Sequence, residues 1–208
     1  MFIIKVHKSV LVTYLGVIFA CVSMYFAFSK IAFSDVPYIR FSLIFLMLSG
    51  ICDMFDGKVA RACKRTEQEK EFGIQIDSLA DTFNFLVLPV VIMLSLGMNA
   101  IWDFVIFALF IMCGVSRLAY FNINTNSDTP IKTYNGLPVT ATAIIYPILG
   151  LLHTNIPETS FKVVYMVATL ACSLLFVLNI KVPKFKGVMY IIIPILAVAL
   201  GVLLVVIR

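Results

Sequence analysis

Apolar residues run along this chain in blocks of helix length, separated by short polar clusters. The blocks fall at about 9–33, 38–58, 74–97, 100–121, 138–153, 160–180 and 188–207, and each is long enough to be weighed as a membrane crossing, which takes about 20 residues. The pattern predicts an all-α, polytopic integral membrane helix bundle with about seven transmembrane helices, six to eight being compatible with it. The block at 138–153 is short for a straight crossing and contains Pro147, so a tilted or re-entrant segment is expected there. The first block follows Lys5, His7 and Lys8 and is longer than the apolar core of a secretory leader, so it reads as a retained helix.

Composition excludes a water-soluble globule. Of 208 residues, 62% are hydrophobic and 13% charged, against about 45–50% and about 25% in soluble domains. Seven spans with short loops fill the chain, which is expected to form a single membrane domain over 1–208 with no soluble catalytic unit. Five cysteines are scattered singly, without the paired spacing of zinc or disulfide frameworks, and read as small apolar filler. The net charge of +5 is dispersed over separate loops and forms no basic stripe, so no nucleic-acid partner is expected. Alternating seven spans from a cytoplasmic N-terminus puts twelve Lys and Arg residues on the cytoplasmic side and four (Lys30, Arg40, Lys162, Arg208) on the other. That asymmetry predicts an inner-face location for the segment 52–73.

Against this background the acidic residues stand out. Asp53 and Asp56 close the second block, and Asp77 and Asp81 open the third. Carboxylates in a membrane-spanning helix are costly, so a function is the default expectation. On a helix, Asp53, Asp56, Gly57, Ala60 and Arg61 share one face; on the next, Gly73, Asp77 and Asp81 share another. A short connection makes the two helices antiparallel neighbours, and four carboxylates then converge on one small volume. Four negative charges there require protons or cations. Oxygen-only ligands select a hard divalent cation, and two such ions would balance the charge in full. A two-metal site clamps phosphoryl groups for in-line displacement. Gly57 and Ala60 remove bulk where a ligand would lie, and Arg61 offers a bidentate phosphate donor.

The string Asp53-x-x-Asp56-Gly57-x-x-Ala60-Arg61, followed by Gly73-x-x-x-Asp77-x-x-x-Asp81, resembles the signature of the CDP-alcohol phosphatidyltransferase family. The resemblance implies transfer from a CDP-linked lipid to an alcohol, with release of CMP. It implies two Mg²⁺ or Mn²⁺ ions per site, held by Asp53, Asp56, Asp77 and Asp81, with Asp81 as general base. It also implies a CDP-lipid site over Asp53, Gly57, Ala60, Arg61 and Gly73, and a homodimer. One departure is the connection 62–72, eleven residues where the family usually has about eight. Within it, Thr66-x-x-Glu69 is a capping-box pattern that predicts a helix start near Glu67. Lys70 falls on the stripe of Gly73, Asp77 and Asp81; it either reaches the CDP-lipid diphosphate or pairs with Glu67 or Glu71.

Further strings are similar to the phosphatidylserine synthase branch: Arg117-Leu118-Ala119-Tyr120-Phe121-Asn122, Tyr134-x-Gly136-Leu137-Pro138, and Asn179-Ile180-Lys181-Val182-Pro183-x-Phe185-Lys186. Tyr120 and Thr140 depart from the branch, which has Arg and Pro there. The expected substrates are therefore CDP-diacylglycerol and L-serine, with the diacyl tails among membrane lipid in a lateral opening and the site facing the cytoplasm. Serine carries a carboxylate that must be paired beside the Asp cluster, and Arg117, Asn122 and Lys184 are the candidate acceptor-site residues. Arg117 has an alternative as a snorkelling surface cation, and Gly136 and Pro138 as a simple turn. The rival acceptors are glycerol 3-phosphate, inositol, inositol phosphate and choline. A cation-coupled transporter would explain buried carboxylates but not Gly57, Ala60 and Arg61 beside them. His7 and His153 lie away from the cluster in sequence, which excludes a phosphohistidine route.

Overall fold

A computed structural model describes residues 7–33, 36–125, 133–154, 156–183 and 189–206. The helices are α1 (Leu11–Phe33), α2 (Val36–Ala62), α3 (Glu67–Thr82), α4 (Leu88–Ser95), α5 (Ile101–Thr125), α6 (Thr142–Gly150), α7 (Glu158–Val177) and α8 (Met189–Val206). Helix α3, a π-helical turn at Phe83–Val87 and α4 run on as one rod over Glu67–Ser95. Among the described residues, five helices are long and apolar enough to cross a membrane, and two shorter apolar ones span Val139–Gly150 and Tyr190–Val206. These seven match the seven apolar blocks, and the short fifth block is indeed a short helix containing Pro147. Large side chains such as Trp102, Ile123, Val167 and Ile195 are exposed, which suits a lipid solvent and not water.

Helices α1 and α2 pack along their length. Ser23 Oγ donates to the Ser42 carbonyl at 2.6 Å and lies 3.0 Å from the Ser42 hydroxyl, all of it buried. Hydroxyls pair in this way because the lipid offers no alternative partner. The α6–α7 contact is built on aromatic rings with satisfied hydroxyls: Tyr165 donates to the Tyr146 carbonyl at 2.8 Å, and Tyr146 Oη lies 3.0 Å from Thr169 Oγ1. Phe85, Phe110 and Phe161 fill the remaining centre and are fully buried.

The π turn has a local cause that the apolar pattern hides. Pro89 carries no N–H for the carbonyl one turn back, which belongs to Phe85. The helix widens over Phe83–Val87, and the Thr142 hydroxyl proton is shared between the Phe85 carbonyl at 3.1 Å and the Val139 carbonyl at 2.8 Å. An orphaned carbonyl in the membrane is thereby satisfied by a neighbouring span.

The strings around Gly136 and Lys181 lie far apart in sequence and meet in space. Thr133–Asn135 (β1) and Lys181–Pro183 (β2) pair antiparallel, Tyr134 opposite Val182. This three-residue ladder is the one departure from all-α structure among the described residues, and no strand is expected from the sequence. Gly136 follows it with φ +78°, and a Cβ there would stand 2.6 Å from the Phe176 carbonyl. The turn reading of Gly136 thus holds in a stronger form, since its N–H bonds the Ile180 carbonyl at 2.9 Å and that of Leu137 bonds Leu175 at 2.9 Å.

Replacing Thr142 by Val removes the hydroxyl donor shared by the Phe85 and Val139 carbonyls, and should cost about 1–3 kcal/mol. The measurement is the thermal midpoint in detergent, with Thr142→Ser retaining most of the wild-type value; an unchanged midpoint in Thr142→Val would remove this account of the π turn.

Candidate active site

Two helix ends and the loop between them assemble the site. Thr66 caps α3: its Oγ1 accepts from the Glu69 N–H at 3.3 Å, while Glu69 Oε2 accepts from the Thr66 N–H at 2.8 Å. The capping box expected from the sequence is present, and α3 starts at Glu67 as predicted. A capped start fixes the register of Gly73, Asp77 and Asp81 relative to the end of α2.

Asp53, Asp56 and Asp77 each offer a carboxylate oxygen, all within 4.8 Å of one another. Asp81 joins them through hydrogen-bonding contact with Asp53, as Asp77 does with Asp56. Asp56 is buried at 7% exposure, and Thr13 Oγ1 from α1 donates to its Oδ2 at 3.0 Å. Convergent oxygens from four carboxylates, with no nitrogen or sulfur among them, fit a hard divalent cation. Without such a cation, two unit charges 4 Å apart repel by about 4 kcal/mol at an effective dielectric near 20.

Two guanidinium groups flank the cluster at its loop side. A Cβ on Gly57 would lie 3.4 Å from Arg61 Nη1, and one on Gly73 would lie 3.3 Å from Arg65 Nη1. Each glycine therefore leaves its helix surface open to a planar cation. Arg65 is not anticipated by the motif; its signal is a second arginine four positions after Arg61, inside the longer connection. Ala60 lies half-buried on the same stripe of α2.

The remaining candidates separate clearly. Arg117 is 9% exposed, its charge acts on Asp53, and its guanidinium lies 5.6 Å from the Phe121 ring centroid. It faces the cluster, so the snorkelling alternative does not describe it. Asn122 holds Ser78, the neighbour of Asp77: Nδ2 donates to the hydroxyl at 2.8 Å and Oδ1 lies 3.1 Å from it. Its amide joins α5 to α3 beside Asp77. Lys70 is exposed and paired with Glu67 at 2.6 Å, the pairing that the alternative reading of that residue gives. Lys184 lies outside the described residues. Thr13 was missed because a single threonine in an apolar span carries no spacing signal.

The profile of the CDP-alcohol phosphatidyltransferase family matches residues 7–178, most of the chain. The chain belongs to this family. Among curated relatives, it is 33% identical over 153 residues to a CDP-diacylglycerol–serine O-phosphatidyltransferase of Saccharomyces cerevisiae, covering 62% of this chain and 54% of that protein. It is 35% identical over 147 residues to the enzyme of the same name from Helicobacter pylori, covering 69% and 60%. An archaetidylserine synthase of Methanothermobacter thermautotrophicus is 28% identical over 147 residues, covering 69% and 58%. The matched stretch thus spans a little over half the length of these relatives. Membership of this membrane family, together with the five span-length helices, makes the chain an integral membrane protein.

Thr13 holds the Oδ2 oxygen of Asp56 and so sets the orientation of that carboxylate. Thr13→Val should weaken divalent-cation affinity about 10–100-fold, read by calorimetric titration of Mn²⁺ into the detergent-solubilised protein. Equal affinity in variant and wild type would show that the hydroxyl does not orient the ligand.

Proposed function

We propose that the chain transfers a phosphatidyl group from CDP-diacylglycerol to L-serine, giving phosphatidylserine and CMP. The observation that carries this reading is the meeting of three Asp oxygens within 4.8 Å with a buried arginine facing them. The carboxylates supply a site for a doubly negative diphosphate neutralised by cations, and Arg117 supplies the fixed positive charge that a serine carboxylate needs beside them. The relatives named above as serine phosphatidyltransferases support the acceptor.

Asp53, Asp56, Asp77 and Asp81 would hold two Mg²⁺ or Mn²⁺ ions. Such ions polarise the phosphoryl oxygens and neutralise charge in the transition state. Arg61 and the open surfaces of Gly57, Ala60 and Gly73 hold and orient the CDP-lipid phosphates. Asp81 accepts the proton of the serine hydroxyl as its oxygen bonds the lipid-side phosphorus. The bond from that phosphorus to the bridging oxygen breaks in the same displacement, and the electron pair leaves with CMP. Arg117 grips the serine carboxylate bidentately, a geometry that Lys lacks. No enzyme-bound phosphoryl group forms on this route.

The charge asymmetry of the loops supports a cytoplasmic opening, with the tails emerging between helices, and the family supports a homodimer. Lys64→Cys in a cysteine-free background should react with an impermeant maleimide only from the cytoplasmic face; labelling solely from outside would reverse the orientation.

Purified protein should release CMP from CDP-diacylglycerol when given L-serine and Mg²⁺ or Mn²⁺, and stop on addition of chelator. Asp53→Asn and Asp77→Asn should abolish turnover. Arg117→Lys should raise the serine KM at least tenfold with little change in the KM for CDP-diacylglycerol. Full turnover in excess chelator would overturn the metal site. Preference for glycerol 3-phosphate or inositol would overturn serine alone.

A further inference from the structure

Directly below the carboxylates lie two polar atoms that the reading above does not use. Ser49 is fully buried and Asn84 is 3% exposed. Ser49 Oγ and Asn84 Oδ1 have no hydrogen-bond partner. Ser49 stands one helical turn before Asp53 on α2, and Asn84 stands three residues after Asp81, inside the π turn. Both close on the same spot of α1: a Cβ on Gly16 would be 3.6 Å from Asn84 Nδ2, 3.6 Å from the Ser49 carbonyl and 3.3 Å from Cys52 Cβ. Thr13, one turn before Gly16, is already bonded to Asp56, so α1 lines both levels of the site.

An unsatisfied buried oxygen is costly, about 1–3 kcal/mol, and native proteins hold few of them without a use. Here two occur at one level, one helical turn beneath the reacting groups, where Gly16 lets α1 pack closely against both residues. Widened π turns recur at functional sites for the same reason, that they re-aim one side chain without breaking the helix. Both atoms accept hydrogen bonds and neither carries charge. The ligand group that suits them is therefore a donor, and the negative carboxylates overhead favour a cationic one.

We propose that Ser49 and Asn84 form the subsite for the ammonium group of the acceptor. The inference rests on the serine reading and completes it: hydroxyl at Asp81, carboxylate at Arg117, ammonium at Ser49 Oγ and Asn84 Oδ1. Three fixed points define the chirality of the acceptor and reject alcohols without an amine. Glycerol 3-phosphate and inositol leave both oxygens unpartnered, which is a penalty against the wrong substrate as well as a gain for the right one.

The test compares L-serine with 3-hydroxypropionate, the same skeleton without its amine, by CMP release from CDP-diacylglycerol. Wild type should prefer L-serine. In Asn84→Leu and in Ser49→Ala the ratio of kcat/KM values for the two alcohols should fall at least tenfold, while Asn84→Asp, which keeps an acceptor oxygen, should retain it. A merely structural role lowers both rates together and leaves the ratio unchanged, and that result would overturn the subsite. Should Asn84→Leu not fold, Ser49→Ala removes a single buried atom and carries the comparison. A wild type that uses neither alcohol but releases CMP with glycerol 3-phosphate or inositol removes the serine reading and the subsite with it. Wild-type turnover of serine with an unchanged ratio in the variants removes the subsite only.

Discussion

Mutual repulsion among Asp53, Asp56, Asp77 and Asp81 is the constraint that the rest of the structure answers. Their oxygens are brought within a few ångströms in a region that lipid and apolar helices surround, where water screens little. A bundle chosen for stability alone would not contain them. Each adjoining feature reduces that cost or directs it: carboxyl contacts between Asp53 and Asp81 and between Asp56 and Asp77, the Thr13 hydroxyl on Asp56, and the charge of Arg117 on Asp53. The charge that these contacts leave over is what a divalent cation would balance.

The surrounding helices matter chiefly as a frame for that charge. Helix α1 contributes no carboxylate, yet its Thr13 and Gly16 fix how closely α2 and the π turn approach. Helix α5 steadies α3 through Asn122 and Ser78 and delivers Arg117 from the opposite side. The small ladder between β1 and β2 ties the connection before α6 to the one after α7.

Much of this was legible in residue order. Seven apolar blocks became seven helices because lipid permits no other way to satisfy a spanning backbone. The Asp cluster was legible because helical spacing carries it: Asp53 and Asp56 on one face and Asp77 and Asp81 on the next need only a short connection to meet. The capping box at Thr66 and Glu69 is local and was equally readable. What stayed hidden depends on contacts between distant segments. Thr13 becomes meaningful only when α1 lies against α2. The π turn needs Pro89 and Thr142 together, 53 positions apart in the sequence. Asn122 meets Ser78 from 44 positions away, a contact that spacing alone does not single out. The ladder was invisible because three-residue pairing leaves no periodicity.

The position of the carboxylates along their helices bears on how the chain enters a membrane at all. Asp53 and Asp56 sit within ten residues of the C-terminal end of α2, and Asp77 follows a polar first stretch of α3. An Asp at the centre of a span adds about 2.5–3.5 kcal/mol to its insertion. Clustered beside the α2–α3 connection, the acidic residues occupy one end of each span and leave the end far from that connection largely apolar. The hairpin can be threaded during synthesis while the charges wait at the surface.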